Sequence, residues 1–186
     1  MSKPLVVVAH PSLNGESRIN LAMAEVARQA GLPVHDLYAC YPDFRIDCAA
    51  EQARMAEASA LVLQFPLYWY AAPALLKEWL DVVLTYGFAY GREARGLRGK
   101  PLLLAVSVGS PEADFRAEGR AGASLDELLL PISHTFRYCD MQLEPSYAIF
   151  GVDRIDEVGL AAAMVDYRRR LGALTASALA EAQPVC

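Results

Sequence analysis

Leu5-Val6-Val7-Val8-Ala9-His10-Pro11-Ser12-Leu13-Asn14-Gly15-Glu16-Ser17-Arg18-Ile19-Asn20 is the stretch on which the fold class turns. Leu5 to Ala9 is apolar without polar alternation, the pattern of a strand covered on both faces. A polar loop containing Gly15 follows, and from Ser17 to about Ala30 apolar residues recur at helical spacing. Gly31 then stops the helix, as glycine commonly does just past a C-terminus. A buried strand feeding a helix through a short loop is the opening of a parallel α/β unit.

The same alternation continues along the chain. Pro33 to Leu37 reads as a second strand, Glu51 to Ala58 as a short helix, and Ala60 to Phe65 as a third strand. Pro73 opens a helix to about Leu84, in which Leu75, Leu76, Trp79, Leu80 and Val83 fall on one face. Pro101 to Ser107 is a fourth strand, Leu125 to Tyr138 a helix, and Ser146 to Phe150 a weak fifth strand. The last helix runs from about Ile155 to Glu181, and its Arg168-Arg169-Arg170 run reads as a solvated face. Five strands alternating with helices predict an α/β three-layer sandwich of the flavodoxin-like type. Its parallel sheet would have the order 2-1-3-4-5, with helices on both faces. Ligands of such sheets sit beyond the carboxyl ends of the strands, at the switch point between strands 1 and 3.

Length and composition agree. The chain has 186 residues, which suits a single domain over residues 1–186 with a core of its own. Its 54% hydrophobic and 21% charged residues exclude a disordered chain. With 17 basic against 22 acidic residues the formal charge is −5, which argues against nucleic acid and against a polybasic membrane anchor. No apolar run approaches the length of a membrane span, and no signal peptide is visible. Cys40, Cys48, Cys139 and Cys186 form no C-x-x-C pair, and His10, His35 and His134 are scattered. No zinc site is expected, and the thiols are read as free in a cytoplasmic protein.

Three loops lie where the ligand should be. In the first, Ser17 can cap the following helix. Its N-terminal turn, with His10, Arg18, Ile19 and Asn20, offers donors to a phosphate, although Ser17 as a plain cap and His10 as a turn residue would fit equally well. Neither a dinucleotide-binding G-x-G-x-x-G nor a P-loop is present. The second loop, Phe65-Pro66-Leu67-Tyr68-Trp69-Tyr70-Ala71-Ala72-Pro73, sets three aromatics between prolines. That composition suits a wall for a flat ring, or a subunit contact. In the third, Ser107-Val108-Gly109-Ser110, backbone amides could meet the far edge of the same ring. No hydrolase-like nucleophile and base accompany these loops, which suits a redox cofactor carrying its own chemistry.

Ala9-His10-Pro11, Ser17 to Asn20, Phe65 to Tyr70, Pro73, Leu76-Lys77 and Trp79 resemble the NAD(P)H:quinone oxidoreductases of flavodoxin-like fold. Leu37-Tyr38, Tyr41 to Phe44, Ile46-Asp47, Ala49 to Gln52 and Phe88 to Gly91 look like one subgroup, the ancillary flavoproteins of the glutathione-gated potassium-efflux system. The resemblance runs from about Val6 to Gly151. It implies a bound flavin, FMN or FAD, with FMN favoured because little chain follows Gly151 to enclose an adenosine. It also implies NAD(P)H as co-substrate, hydride transfer through the flavin N5 to a quinone or similar electrophile, and a homodimer. By motif match, His10 and Ser17 to Asn20 would hold the phosphate. Pro66 to Tyr70 would hold the ring, and Ser107 to Ser110 its far edge, with Tyr68 as the candidate catalytic side chain.

Two departures from the family pattern stand out. By the resemblance, Ser107-Val108-Gly109-Ser110 stands where that family commonly shows Thr-Thr-Gly-Gly, and Phe115 and Ala121 look like the positions where its mammalian members place a Tyr and a His. The resemblance also supports a second reading. The chain would then be a soluble regulatory subunit docked on a cation–proton antiporter, peripheral at the inner face of the membrane.

Overall fold

The computed structural model describes residues 2–15 and 17–181, without the side chains of residues 180 and 181; Glu16 and Cys186 lie outside them. Its strands are β1 (Leu5–Val8), β2 (Val34–Asp36), β3 (Leu61–Pro66), β4 (Pro101–Val108), β5 (Gln142–Leu143) and β6 (Tyr147–Phe150). The helices are α1 (Arg18–Gln29), α2 (Leu37–Cys40), α3 (Cys48–Glu57), α4 (Ala74–Val83), α5 (Leu125–Tyr138) and α6 (Glu157–Glu181). All pairings are parallel and the order is β2-β1-β3-β4-β5, the predicted 2-1-3-4-5.

The fifth position differs in one respect. It is shared by β5 and β6, both paired with β4 on the same edge. Pro145 lies between them and has no N–H to give the ladder, so pairing breaks there and resumes at Tyr147. The second strand is also shorter than expected. Asp36 ends it by accepting hydrogen bonds from Tyr38 N and Ala39 N, so Leu37 begins α2 instead of extending β2.

The two cores follow from strand alternation. Leu5, Val7, Leu61, Leu63, Phe65, Leu102, Leu104 and Val106 face α4 and α5, where Trp79 and Phe136 are fully buried. Val6, Val8, Val62, Leu103 and Ala105 face α1 and α6, packing against Met23, Tyr167 and Leu171. Among the described residues, no helix is long and apolar enough to cross a membrane, and no metal-binding cluster occurs.

Candidate functional site

A cleft of about 340 Å³ opens at the carboxyl ends of β1, β3 and β4. It is lined by His10, Ser17, Arg18, Ile19, Asn20, Pro66, Leu67, Tyr68, Ser107 and Gly109, with Val152 and Asp153 from the loop after β6. Its volume falls in the range of small-molecule sites, about 300–1,000 Å³. A larger cleft of about 720 Å³ lies between α4 and α5, and no residue at a strand's carboxyl end lines it.

The floor is a relay of buried amides. Ser17 Oγ caps α1 by accepting from Asn20 N at 3.3 Å, and Asn20 Nδ2 donates to Ser107 Oγ at 2.8 Å. Gln64 Nε2 donates to Asn20 O at 2.8 Å, and Tyr167 Oη donates to Gln64 Oε1 at 3.2 Å. Burial pushes the Tyr167 phenol up, so it stays a donor. One acceptor is left over: Asn20 Oδ1 is buried and has no hydrogen-bond partner among the described residues. A buried amide oxygen without a donor costs about 1–3 kcal/mol, a cost a ligand donor would remove.

The N-terminus of α1 opens on the mouth of the cleft. Helix α1 begins at Arg18 with no acidic residue in its first turn, so the positive end of its dipole faces that mouth, with Asp153 on the opposite rim. Arg18 itself turns aside: its guanidinium donates to Glu157 Oε1 at 2.9 Å and to Ile155 O. Both partners in that ion pair are exposed, so the tie is cheap to break. His10 Nδ1 accepts from Ser12 N at 3.1 Å, so a neutral His10 carries its proton on Nε2, which lies 3.3 Å from Tyr68 Oη.

The aromatic loop does not form a continuous wall. Leu67 N donates to Ser107 O at 2.8 Å, fixing the loop to β4. Tyr68 and Ala71 then exchange backbone hydrogen bonds of 2.9 and 3.0 Å around a tight turn. At its centre Trp69 and Tyr70 have φ of 48° and 64°, left-handed conformations that favour Gly or Asn. Two consecutive bulky residues there cost roughly 1–2 kcal/mol each. Only Tyr68 lines the cleft; Trp69 is 94% exposed and Tyr70 is half-exposed.

The structure therefore gathers most of the predicted residues and separates a few. Ile19 and Val108 send their side chains into the two cores and can offer only backbone groups. Val108 O is occupied by Val152 N at 3.1 Å and Ser110 O by Gly151 N at 2.9 Å, so Ser110 pins the neighbouring loop and does not line the cleft. Val in place of Thr at 108 suits a buried side chain. Phe115 packs on Phe150 with ring centroids 5.4 Å apart. Val152 and Asp153 belong to no motif in the sequence, although a loop after the fifth strand must also reach the carboxyl edge. A Cβ on Gly109 would lie 3.2 Å from Asp153 Oδ2, so glycine lets that carboxylate close the cleft's rim.

The chain as a whole is similar to proteins of known sequence and structure. The glutathione-regulated potassium-efflux system ancillary protein of Klebsiella pneumoniae (strain 342) is 40% identical over 168 residues, 90% of this chain and 93% of that protein. The crystal structure of general stress protein 14 from Treponema denticola, in complex with FMN, superposes with a TM-score of 0.86. It is 40% identical, covering 92% of this chain and 99% of the other. The NADPH-quinone reductase structure from P. pentosaceus gives a TM-score of 0.82 at 28% identity, covering 91% and 97%. The model of the flavodoxin-like fold family matches residues 2–171, and the chain belongs to that family.

Proposed function

We propose that the chain is a flavin-dependent NAD(P)H:quinone oxidoreductase that binds FMN in the cleft at the ends of β1, β3 and β4. The observation that carries the reading is a ligand-sized cleft combining the open N-terminus of α1 with the unpaired, buried Asn20 Oδ1. These features fit a cofactor with a phosphate at one end and hydrogen-bonding groups along its length. In this reading the first turn of α1, with Ser17, Arg18 and His10, holds the phosphate. Pro66, Leu67 and Tyr68 flank the ring from the β3 side, and Ser107 to Gly109 approach it from β4. When bound, the flavin supplies a two-electron carrier between NAD(P)H and the acceptor. The chain's own part is to position, to exclude water and to offer a proton at Tyr68 Oη, which His10 Nε2 steadies. The leftward turn at Trp69 and Tyr70 presents two rings outward, where a second protomer would cover them; exposed aromatics of this kind concentrate at interfaces. We read the protein as a homodimeric, single-domain cytoplasmic enzyme.

The 40% identity to the Klebsiella ancillary protein favours a second role, docking on a potassium-efflux antiporter at the inner membrane face. Anaerobic spectroscopy separates the two. An FMN-loaded enzyme bleaches on adding NADPH or NADH and recovers its colour with a quinone. Bound FMN that no nicotinamide bleaches would leave the regulatory role, and a chain that retains no flavin would overturn the oxidoreductase reading and the assignment of the cleft.

A further inference from the structure

Outside the cleft, a second group of reactive side chains comes together from β2, α2 and α3. Glu51 of α3 is fully buried, and its carboxylate accepts from Tyr41 Oη and from Trp79 Nε1, each at 2.8 Å. His35 Nε2 lies 2.9 Å from Glu51 Oε1. Burial alone would push the carboxyl up, but the polar contacts with His35, Trp79 and Tyr41 outweigh it and hold it at about 2, so Glu51 is ionised. The ionised Glu51 lies 2.9 Å from Nε2 without the alignment of a full hydrogen bond, so it is the carboxylate's charge that keeps the proton of a neutral His35 on Nε2 and leaves the Nδ1 lone pair on the other side. Cys40 Sγ stands on that side, 3.7 Å from Nδ1. His35 is buried and Cys40 is exposed, so the base is sheltered while the sulfur is open to solvent. None of these residues lines the flavin cleft.

A purely structural cluster needs only the half that surrounds Glu51. The other half, an imidazole lone pair aimed at an accessible thiol, is the nucleophile–base–orienter arrangement of covalent catalysis. We propose that Cys40, His35 and Glu51 form a second reactive site, at which the Cys40 sulfur adds covalently to small α,β-unsaturated carbonyl compounds. In the step, a bond forms between Sγ and the β-carbon as the C=C π pair moves onto the carbonyl oxygen. The thiol proton passes to His35 Nδ1 and from there to the enolate, while Glu51 stabilises the transient imidazolium. Thiol plus acceptor gives a thioether, and no oxidant or reductant is consumed.

The electrostatics decide how such a site must work. Burial and the charge of Glu51 raise the Cys40 thiol above its ordinary range, with Asp36 adding to this and Arg54 opposing it. A preformed thiolate is therefore scarcer than in a free cysteine, and any speed must come from proton removal by His35 during attack. This inference is independent of the flavin reading.

The test is to treat the full-length protein with acrylamide at neutral pH and locate the adducts by peptide mass spectrometry. The Cys40 rate is compared with that of N-acetylcysteine and with the His35→Gln variant. The proposal expects Cys40 to react at least as fast as N-acetylcysteine, and H35Q to slow it by about tenfold or more. A wild-type Cys40 slower than N-acetylcysteine would overturn it, as would an H35Q variant of unchanged or greater rate. Should H35Q fail to fold, the comparison with N-acetylcysteine decides alone. C40S identifies the adduct, since it must lose that peptide's label.

Discussion

The Glu51 cluster and the cleft at the ends of β1, β3 and β4 are both built from polar side chains brought together by the ends of elements, yet their accounts close differently. At Glu51 the carboxylate is enclosed by Tyr41, Trp79 and His35, and its hydrogen-bonding demand is met inside the protein. At the cleft the relay from Tyr167 through Gln64 to Asn20 ends on an oxygen with no donor among the described residues, and the adjacent loop holds Trp69 and Tyr70 in left-handed conformations. A buried charge is tolerated when its partners surround it; a buried acceptor left open is tolerated where something else completes it. The first region should therefore govern stability and the second binding, and mutations should separate the two.

The largest effect is expected at Glu51. Glu51→Ala strips His35, Trp79 and Tyr41 of a shared partner and should cost about 3–5 kcal/mol in urea unfolding. An equal loss from Asn20→Ala would erase the contrast. The same carboxylate gives a pH signature. Its folded value of about 2 lies below the ordinary 4.5, so the stabilisation is complete above that ordinary value and is lost as pH falls toward 2. The wild type should lose roughly 3 kcal/mol across that window relative to Glu51→Gln.

At the cleft the ranking reverses. Asn20→Ala should weaken FMN by about tenfold, read by quenching of flavin fluorescence, because it removes both the open acceptor and the tether to Ser107. The smallest effect has the opposite sign. Trp69→Gly should stabilise the protein by up to about 1 kcal/mol, a rise of roughly 2–4 °C in Tm, by relieving the left-handed backbone. A destabilised Trp69→Gly would mean that the exposed ring is held by contacts of its own.

These contrasts also explain what could be read from the chain itself. The periodic elements were legible: α5 begins and ends at the expected Leu125 and Tyr138, and strand–helix alternation gives a parallel sheet whose five positions take the expected order 2-1-3-4-5. Most cleft residues were legible too, because parallel sheets expose ligands at the carboxyl edge. The break at Pro145 depends on one missing N–H and the onset of α2 at Leu37 on two bonds to Asp36, changes that leave periodicity almost unchanged. The turn at Trp69 and Tyr70 carries neither Gly nor Asn, so no local signal announces its left-handed backbone. Pairings such as Asn20 with Ser107, or His35 with Glu51, join residues far apart in the chain, and only the fold brings them together.

Hydrogen exchange with and without FMN tests the central contrast most directly. The account predicts that FMN slows exchange in the first turn of α1, in residues 66–73 and 107–110 and in the loop holding Val152 and Asp153. Amides around His35 and Glu51, already enclosed, should be unchanged. Protection centred on the Glu51 cluster or on the groove between α4 and α5, with none at the cleft, would contradict it.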